Sequence, residues 1–284
     1  MIPNHELVLT NGKWGTYWPL EIGYYPDGMP MVKHTMYHND AYPIEGADTL
    51  ILRPKSIQAF VAAMFYVDAM EERGHEIRNL ILPFIPGSRQ DRINPVGDTL
   101  FTAKSVAKMI NDRSFDKVVV IDPHSLVAPA LIDRCVQVPL DNMWAKFWQG
   151  YTAILAPDLG ATKRAENAAK YMGKPIHHAE KVRDLASGKL IGFSAPTLKK
   201  GEHYLIVDDI CDGGGTFLGL AGEIEKAEAF ATLFVTHGIF SKGTQDLTGK
   251  FKGVYTTDST VFEREPRGSV YTINIVERMI EWAL

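Results

Sequence analysis

The chain has 284 residues, 45% of them hydrophobic and 23% charged, with 30 Lys and Arg against 34 Asp and Glu for a formal net charge of −4. This balance excludes collagenous, disordered and polybasic classes, and with them sequence-independent binding to nucleic acid, which needs a dense cationic field to displace counterions. The two cysteines, Cys135 and Cys211, are too few and too far apart for a disulfide framework or a zinc knuckle, which points to a reducing, cytoplasmic setting.

In chain order, the opening MIPNHELVLTNGKWG has no basic stretch leading into an apolar one, so no secretory leader is expected. Nowhere do enough apolar residues follow one another to span a membrane. Residues 1–40 carry Trp14, Tyr17, Trp18, Tyr24, Tyr25 and Tyr37 among Pro and Gly, which predicts short strands and turns. His34 and His38 stand four apart but lack a third ligand and a helical setting, and read as structural or surface histidines. Beyond them, apolar runs of strand length alternate with helical patterns. Strands are predicted at 48–52, 78–82, 117–121, 151–155, 203–207 and 231–235, each apolar enough to be covered on both faces. Helices are predicted at 56–73, 99–112, 162–172 and 216–227; the first spaces Phe60, Met64, Val67 and Met70 by three and four and stops at Gly74. Pro139 and the polar residues within 137–142 predict a domain break. The segment 270–284 reads as a strand entering an amphipathic helix. The expected organisation is a first α/β domain over 1–138, a second over 139–270, and a segment 271–284 that packs back on the first.

The sharpest local signal is YLIVDDICDGGGTFLG at 204–219. An apolar strand runs into adjacent carboxylates, Asp208 and Asp209, then into Asp212, Gly213, Gly214, Gly215 and Thr216, then into a helix. Glycines let backbone N–H groups converge on an anion at a helix N-terminus, while acids at the strand end suit ribose hydroxyls or a magnesium shell. The Walker A pattern is absent, because no Lys-Ser/Thr pair follows, and the dinucleotide fingerprint lacks a glycine where Leu218 stands. No G-x-S-x-G elbow supports a serine nucleophile.

This stretch resembles the phosphoribosyl-diphosphate (PRPP) loop of type I phosphoribosyltransferases and of PRPP synthetases. Further segments resemble the synthetases in their order. PFIPGSRQDR at 83–92 is similar to their Ala-Arg-Gln-Asp-Arg segment, and TLFTAKSVAKMI, which follows, to their Pro-Ile-Thr-Ala-Lys helix. VVVIDPHS at 118–125 resembles their Asp-Leu-His-Ala strand end, and APDLGATKRA at 156–165 their Ser-Pro-Asp-X-Gly-Gly-X-X-Arg. Lys181-Val182-Arg183 resembles the Lys-Arg-Arg of the mobile catalytic loop, and THGIFS at 236–241 fits Thr-His-Gly-X-X-Ser. The likeness covers about residues 48 to 284.

The resemblance implies two tandem type I phosphoribosyltransferase-like α/β domains with parallel sheets flanked by helices. It implies transfer of the β,γ-diphosphoryl group of MgATP to the anomeric hydroxyl of ribose 5-phosphate, with AMP released. By the same resemblance Arg89, Gln90, Asp91 and Arg92, with Tyr25 and Asp27 of the N-terminal segment, contact ATP. His124 and Asp158 hold Mg2+. Lys181, Arg183 and His124 are catalytic, the first two on a stretch that closes up to Gly192 over the diphosphoryl group. Asp208 and Asp209 orient the ribose hydroxyls, and residues 212 to 216 cradle the 5-phosphate. A homo-oligomer, dimer or hexamer, is implied, with neither a nucleic acid nor a membrane as partner. Taken singly, each residue has an ordinary alternative: Arg89 and Arg92 as a solvated pair, Asp122 and Asp158 as helix caps, His124 as a bonded polar residue, Lys181 and Arg183 as loop charges.

Three departures bear on the acceptor. The loop is Asp-Gly-Gly-Gly-Thr where the synthetases usually have Asp-Thr-Ala-Gly-Thr, which removes a hydroxyl at 213 and a methyl at 214 and is expected to open space. Tyr25-Pro26-Asp27-Gly28-Met29 lacks the glutamate of Phe-Ser-Asp-Gly-Glu, and an aromatic-rich segment takes the place of the usual first strand and helix. These favour an alternative in which, as in certain phage-type relatives, ADP-ribose replaces ribose 5-phosphate, giving ADP-ribose 1-diphosphate for NAD resynthesis. Ribose 5-phosphate, the family default, ranks slightly ahead. A type I phosphoribosyltransferase would not need 89–92, His124 or Lys181, and a non-catalytic regulatory homologue would not keep both Lys181 and Arg183.

Overall fold

A computed structural model describes residues 4–13, 16–34, 46–93, 100–140, 143, 147, 150–183, 190–195, 197–262 and 268–284. Trp14, Tyr37, His38, Thr99 and most of the 184–191 stretch lie outside the described residues or side chains. The chain divides into two units, Met1–Val138 with Asp258–Val261 and Asn274–Leu284, and Pro139–Thr257 with Phe262–Ile273.

In the first unit, β1 (Leu7–Thr10), β2 (Tyr17–Tyr24), β3 (Pro30–His34), β4 (Thr49–Leu52), β5 (Asn79–Ile81), β6 (Lys117–Ile121) and β7 (Cys135–Val138) form one sheet in the order β3-β2-β1-β4-β5-β6-β7. From β4 to β7 the strands are parallel. They are joined through α1 (Ile57–Glu72), α2 (Thr102–Asn111) and α3 (Val127–Leu131). The aromatic-rich N-terminal segment adds an antiparallel meander, with β1 lying antiparallel to β4 in the register Leu7↔Leu52. The sheet is therefore mixed, a feature that the parallel expectation did not contain. Short connections account for the meander itself, since antiparallel neighbours need only a hairpin whereas each parallel pair needs a crossover.

Helix α1 begins where Ser56 Oγ accepts the Ala59 N–H at 3.1 Å. It ends just before Gly74, whose φ of +79° lies in the left-handed region that closes helices. Its Phe60, Met64 and Val67 pack with Leu50, Leu52, Leu80, Val118 and Val120 of the sheet. His34 bonds the hydroxyl of Tyr66 at 3.3 Å, a structural role. The C-terminal helix, Val276–Ala283, packs on β5, β6 and β7. Its first N–H groups, of Ile275 and Val276, donate to Asp258 Oδ1 at 2.7 and 3.1 Å. Buried Arg53, at the end of β4, donates to the carbonyls of Asp258 and His5 at 3.2 and 2.8 Å. One carboxylate and one guanidinium thus join four stretches of chain, at 5, 53, 258 and 275–276.

In the second unit, β8 (Ala153–Ala156), β9 (Ile176–His178), β12 (His203–Cys211), β13 (Phe230–Gly238), β14 (Val254–Thr257) and β15 (Val270–Ile273) form an all-parallel sheet ordered β15-β14-β13-β12-β8-β9. Between β9 and β12, β10 (Glu180–Arg183) and β11 (Leu190–Ser194) pair as an antiparallel hairpin. The helices are α4 (Thr162–Met172), α5 (Gly215–Lys226) and α6 (Gln245–Lys250). Phe217, Leu220, Ala221 and Ile224 of α5 cover Leu155, Tyr204, Ile206, Leu233 and Val235, all but fully buried. The near-continuous apolar runs read from the sequence are these central strands, covered on both faces.

Candidate active site

The chain order of the second sheet reverses between β8 and β12. After β9 it returns to lay β12 on the other side of β8 and then builds outward to β15. Open α/β sheets take ligands beyond the carboxyl ends of their strands at such a reversal. Asp158 follows β8, and Asp208 and Asp209 stand near the end of β12.

The two acids are largely buried, with side chains 14% and 8% exposed, and Asp208 Oδ1 accepts the Asp209 N–H at 2.9 Å. Arg164, in the first turn of α4, sets a guanidinium nitrogen 3.6 Å from Asp208 and 3.9 Å from Asp209. Burial pushes the Asp208 carboxyl up to about 8, the Asp209 charge adding to the rise and Arg164 opposing it. One proton is therefore held at this pair near neutral pH. Arg164 belongs to the APDLGATKRA segment, but spacing alone gave it no role at the acids.

The loop after β12 turns at Gly214, whose φ is +74°, and enters α5 with no side chain capping the helix. Its amides have the arrangement that receives an anion. The space expected beside the glycines is only partly open. A Cβ on Gly213 would meet the Lys242 side chain at 3.4 Å and one on Gly214 the Leu247 side chain at 3.3 Å, whereas one on Gly215 would meet nothing within 4 Å. Cys211 at the strand end is buried, and desolvation, with the charges of Asp208 and Asp212, pushes its thiol up to about 12. It is no nucleophile at neutral pH.

Lys181 Nζ pairs with Asp158 Oδ2 at 2.6 Å, and Asp158 Oδ1 also accepts the Ala161 N–H at 3.2 Å. Asp158 thus caps the turn before α4 while holding the lysine. Lys181 lies opposite Phe193 in the β10–β11 hairpin. The Phe193 ring rests on α5 at Gly219, where any Cβ would overlap it. The hairpin that carries Lys181 is therefore seated on the helix that the phosphate-type loop opens. The Arg183 backbone lies in β10, and its side chain is outside the description.

The remaining predicted residues belong to the first unit. Asp91 is buried and accepts Arg92 Nε at 2.7 Å and its terminal nitrogen at 3.2 Å. The Arg92 hydrogen bonds hold its carboxyl below the usual range, and a hydrogen bond from Ser125 and the nearby His124 add to the effect. Residues 90–92 and 124–125, far apart in sequence, therefore converge, with Asp91 as their hub. The Gln90 carbonyl accepts the Ala103 N–H at 3.2 Å, which fixes the Arg89-Gln90 turn at the start of α2. Asp122 leads from β6 toward His124 with a φ of +41°. Tyr25 and Asp27 sit on the exposed β2–β3 turn, where Asp27 accepts the Met29 N–H at 3.1 Å and Tyr25 is 54% exposed. Among the described residues no cluster of three or more His, Cys, Asp or Glu forms a metal site.

No protein-family model matches the chain. It is 29% identical over 213 residues to a putative ribose-phosphate pyrophosphokinase 2 of Streptococcus pyogenes, a match that covers 69% of this chain and 62% of that protein. The chain thus spans about 62% of the length of the first curated relatives it matches. It is 26% identical over 247 residues to the ribose-phosphate pyrophosphokinase of Pyrococcus abyssi, covering 85% of this chain and 84% of that one. The crystal structure of phosphoribosylpyrophosphate synthetase from Mycobacterium smegmatis superposes with a TM-score of 0.77 at 21% identity, over 94% of this chain and 89% of that one. The α/β fold of phosphoribosyltransferase-like units is thereby shown.

Proposed function

We infer that this chain, which belongs to the ribose-phosphate pyrophosphokinase family, transfers the β,γ-diphosphoryl group of MgATP to the anomeric hydroxyl of ribose 5-phosphate, releasing AMP. The observation that carries this reading is the second unit's reversal point, where two carboxylates, an uncapped glycine loop and a seated lysine hairpin belong to neighbouring elements. A pentose fits that chemistry: Asp208 and Asp209 accept its hydroxyl protons, and the 212–216 amides take its 5-phosphate. Lys181 then supplies positive charge to the phosphoryl oxygens as the bond to the leaving AMP breaks. Arg89, Gln90 and Arg92 bind the nucleotide, Asp91 holding Arg92 in place. Magnesium bound with ATP would neutralise phosphoryl charge. His124 and Asp158 are the proposed ligands, and the Asp158 carboxylate, already engaging a cation, has the hard oxygen chemistry for it. Assembly as a homo-oligomer is part of the same reading.

ADP-ribose as acceptor finds support only in the open side of Gly215, since Lys242 and Leu247 fill the space beside Gly213 and Gly214. The test is AMP release from MgATP with each acceptor. Release with ribose 5-phosphate is expected, and release with ADP-ribose alone reverses the choice. Lys181→Ala should lower turnover by about 100- to 1,000-fold. Its ion pair, with both side chains only about a quarter exposed, contributes on the order of 1 kcal/mol, so folding should persist. Unchanged AMP release in that variant removes Lys181 from the chemistry.

A further inference from the structure

We propose that Lys242 is a binding residue for the acceptor's 5-phosphoryl group, a cation brought over the glycine loop from the chain after β13. The inference rests on the reading of 212–216 as the phosphate loop and names a residue that no motif singled out. The segment is held in place by backbone bonds. The Cys211 carbonyl, at the end of β12, accepts the N–H groups of Ile239 and Phe240 at 2.9 and 3.0 Å. A turn then closes with Gly243 N–H donating to the Phe240 carbonyl at 2.7 Å, Gly243 taking a φ of +79°. Lys242 lies inside that turn, and its stem runs along Gly213. Its Cγ, Cδ and Cε stand 3.8, 3.5 and 3.4 Å from where a Cβ on Gly213 would be.

Cε makes the nearest approach, and the ammonium, one bond beyond it, stands no closer to that point than Cγ does but within one bond length of the contact. Among the described residues it makes no ion pair or hydrogen bond. A lysine stem packs readily on bare backbone while its head stays available to an anion. A side chain at 213, such as the threonine of the loop this one resembles, would touch the lysine stem at ordinary contact distance, and the hydroxyl donor absent there is replaced by a stronger, charged one.

The experiment is calorimetric binding of ribose 5-phosphate and, separately, ADP-ribose to wild type, Lys242→Ala, Lys242→Arg and Thr216→Ala, with unphosphorylated ribose as a further probe. Whichever phosphorylated pentose wild type binds identifies the source of the phosphoryl group. Lys242→Ala is expected to weaken its binding about 10- to 100-fold, as loss of a charge-assisted hydrogen bond does, with Lys242→Arg restoring most of it and ribose unaffected. In turnover, KM for the acceptor should rise while kcat and KM for ATP hold. Wild-type binding by Lys242→Ala, with Thr216→Ala impaired, overturns the assignment and leaves the phosphate loop standing. Wild-type binding by both variants overturns the loop reading itself. A loss confined to ADP-ribose when both pentoses bind overturns the assignment to the 5-phosphoryl group.

Discussion

The seat of the Lys181 hairpin is testable through a residue that bears no charge. Gly219, in the second turn of α5, lies under Phe193: an added Cβ would overlap Cε2 of the ring and stand 2.6 Å from Cδ2. The ring must give way, by rotation about its side-chain bonds or together with its strand. Gly219→Ala therefore overpacks the contact, a change that costs about 1–3 kcal/mol, although alanine suits a helix better than glycine by about 1 kcal/mol. The two oppose each other, so stability alone should fall by no more than about 2 kcal/mol. Turnover carries the sharper signal, because the displaced strand pairs Phe193 with Lys181. A displacement on the order of 1 Å in a charge-stabilising group costs on the order of 100-fold in rate. Urea unfolding and AMP release measured on Gly219→Ala, Phe193→Ala and the double variant form a cycle. The double variant should be more stable than the sum of the singles predicts, by about 0.5–3 kcal/mol, since the ring that collides is gone. Additive stabilities, or a Gly219→Ala enzyme with normal turnover, would refute the seating argument.

Two further outcomes follow from buried charge. The raised Asp208 carboxyl binds a proton in the fold between about pH 4 and 8, where the unfolded chain has released it, so this group's contribution to stability falls as pH rises through that window, by up to about 1.4 kcal/mol per pH unit. Asp208→Asn should flatten the dependence in urea unfolding measured from pH 4 to 8, and an unaltered slope would contradict it. Asp258→Ala uncovers two N–H groups of the C-terminal helix and removes a carboxylate charge near the buried Arg53, whose hydrogen bonds to the backbone carbonyls of Asp258 and His5 remain. It should destabilise by about 1–3 kcal/mol, and an unchanged stability in the same assay would show that the clamp is not needed.

The central strands were legible because both faces are covered: KVVVI at 117–121 coincides with β6, and the runs at 203–207 and 231–235 are the buried beginnings of β12 and β13. Both strands run on past those runs, to Cys211 and Gly238, because the apolar pattern fades where strands reach the sheet's carboxyl edge. LVLT of β1 and CVQV of β7 were too short to stand out, and β14 lies among tyrosines and threonines that show no alternation, whereas the strand and helix read from 270–284 are β15 and the helix that follows it. The loop at 212–216 and the acids before it were visible in one continuous stretch. Arg164 near those acids, Phe193 on Gly219 and Lys242 on Gly213 are pairings across 26 to 45 positions, which no local pattern encodes.

The first unit closes only with residues that come last in the chain. Met279, Ile280 and Ala283 fill its interior, and Asp258 secures the helix that carries them. On the ribosome, residues 1–138 therefore emerge long before their missing wall, and their apolar sheet face must wait, a hazard for self-association that chaperones exist to limit. The second unit has no such delay for most of its strands, so the order of maturation runs against the order of synthesis, and shortening the chain by a dozen residues would leave the first unit open while sparing every proposed ligand contact.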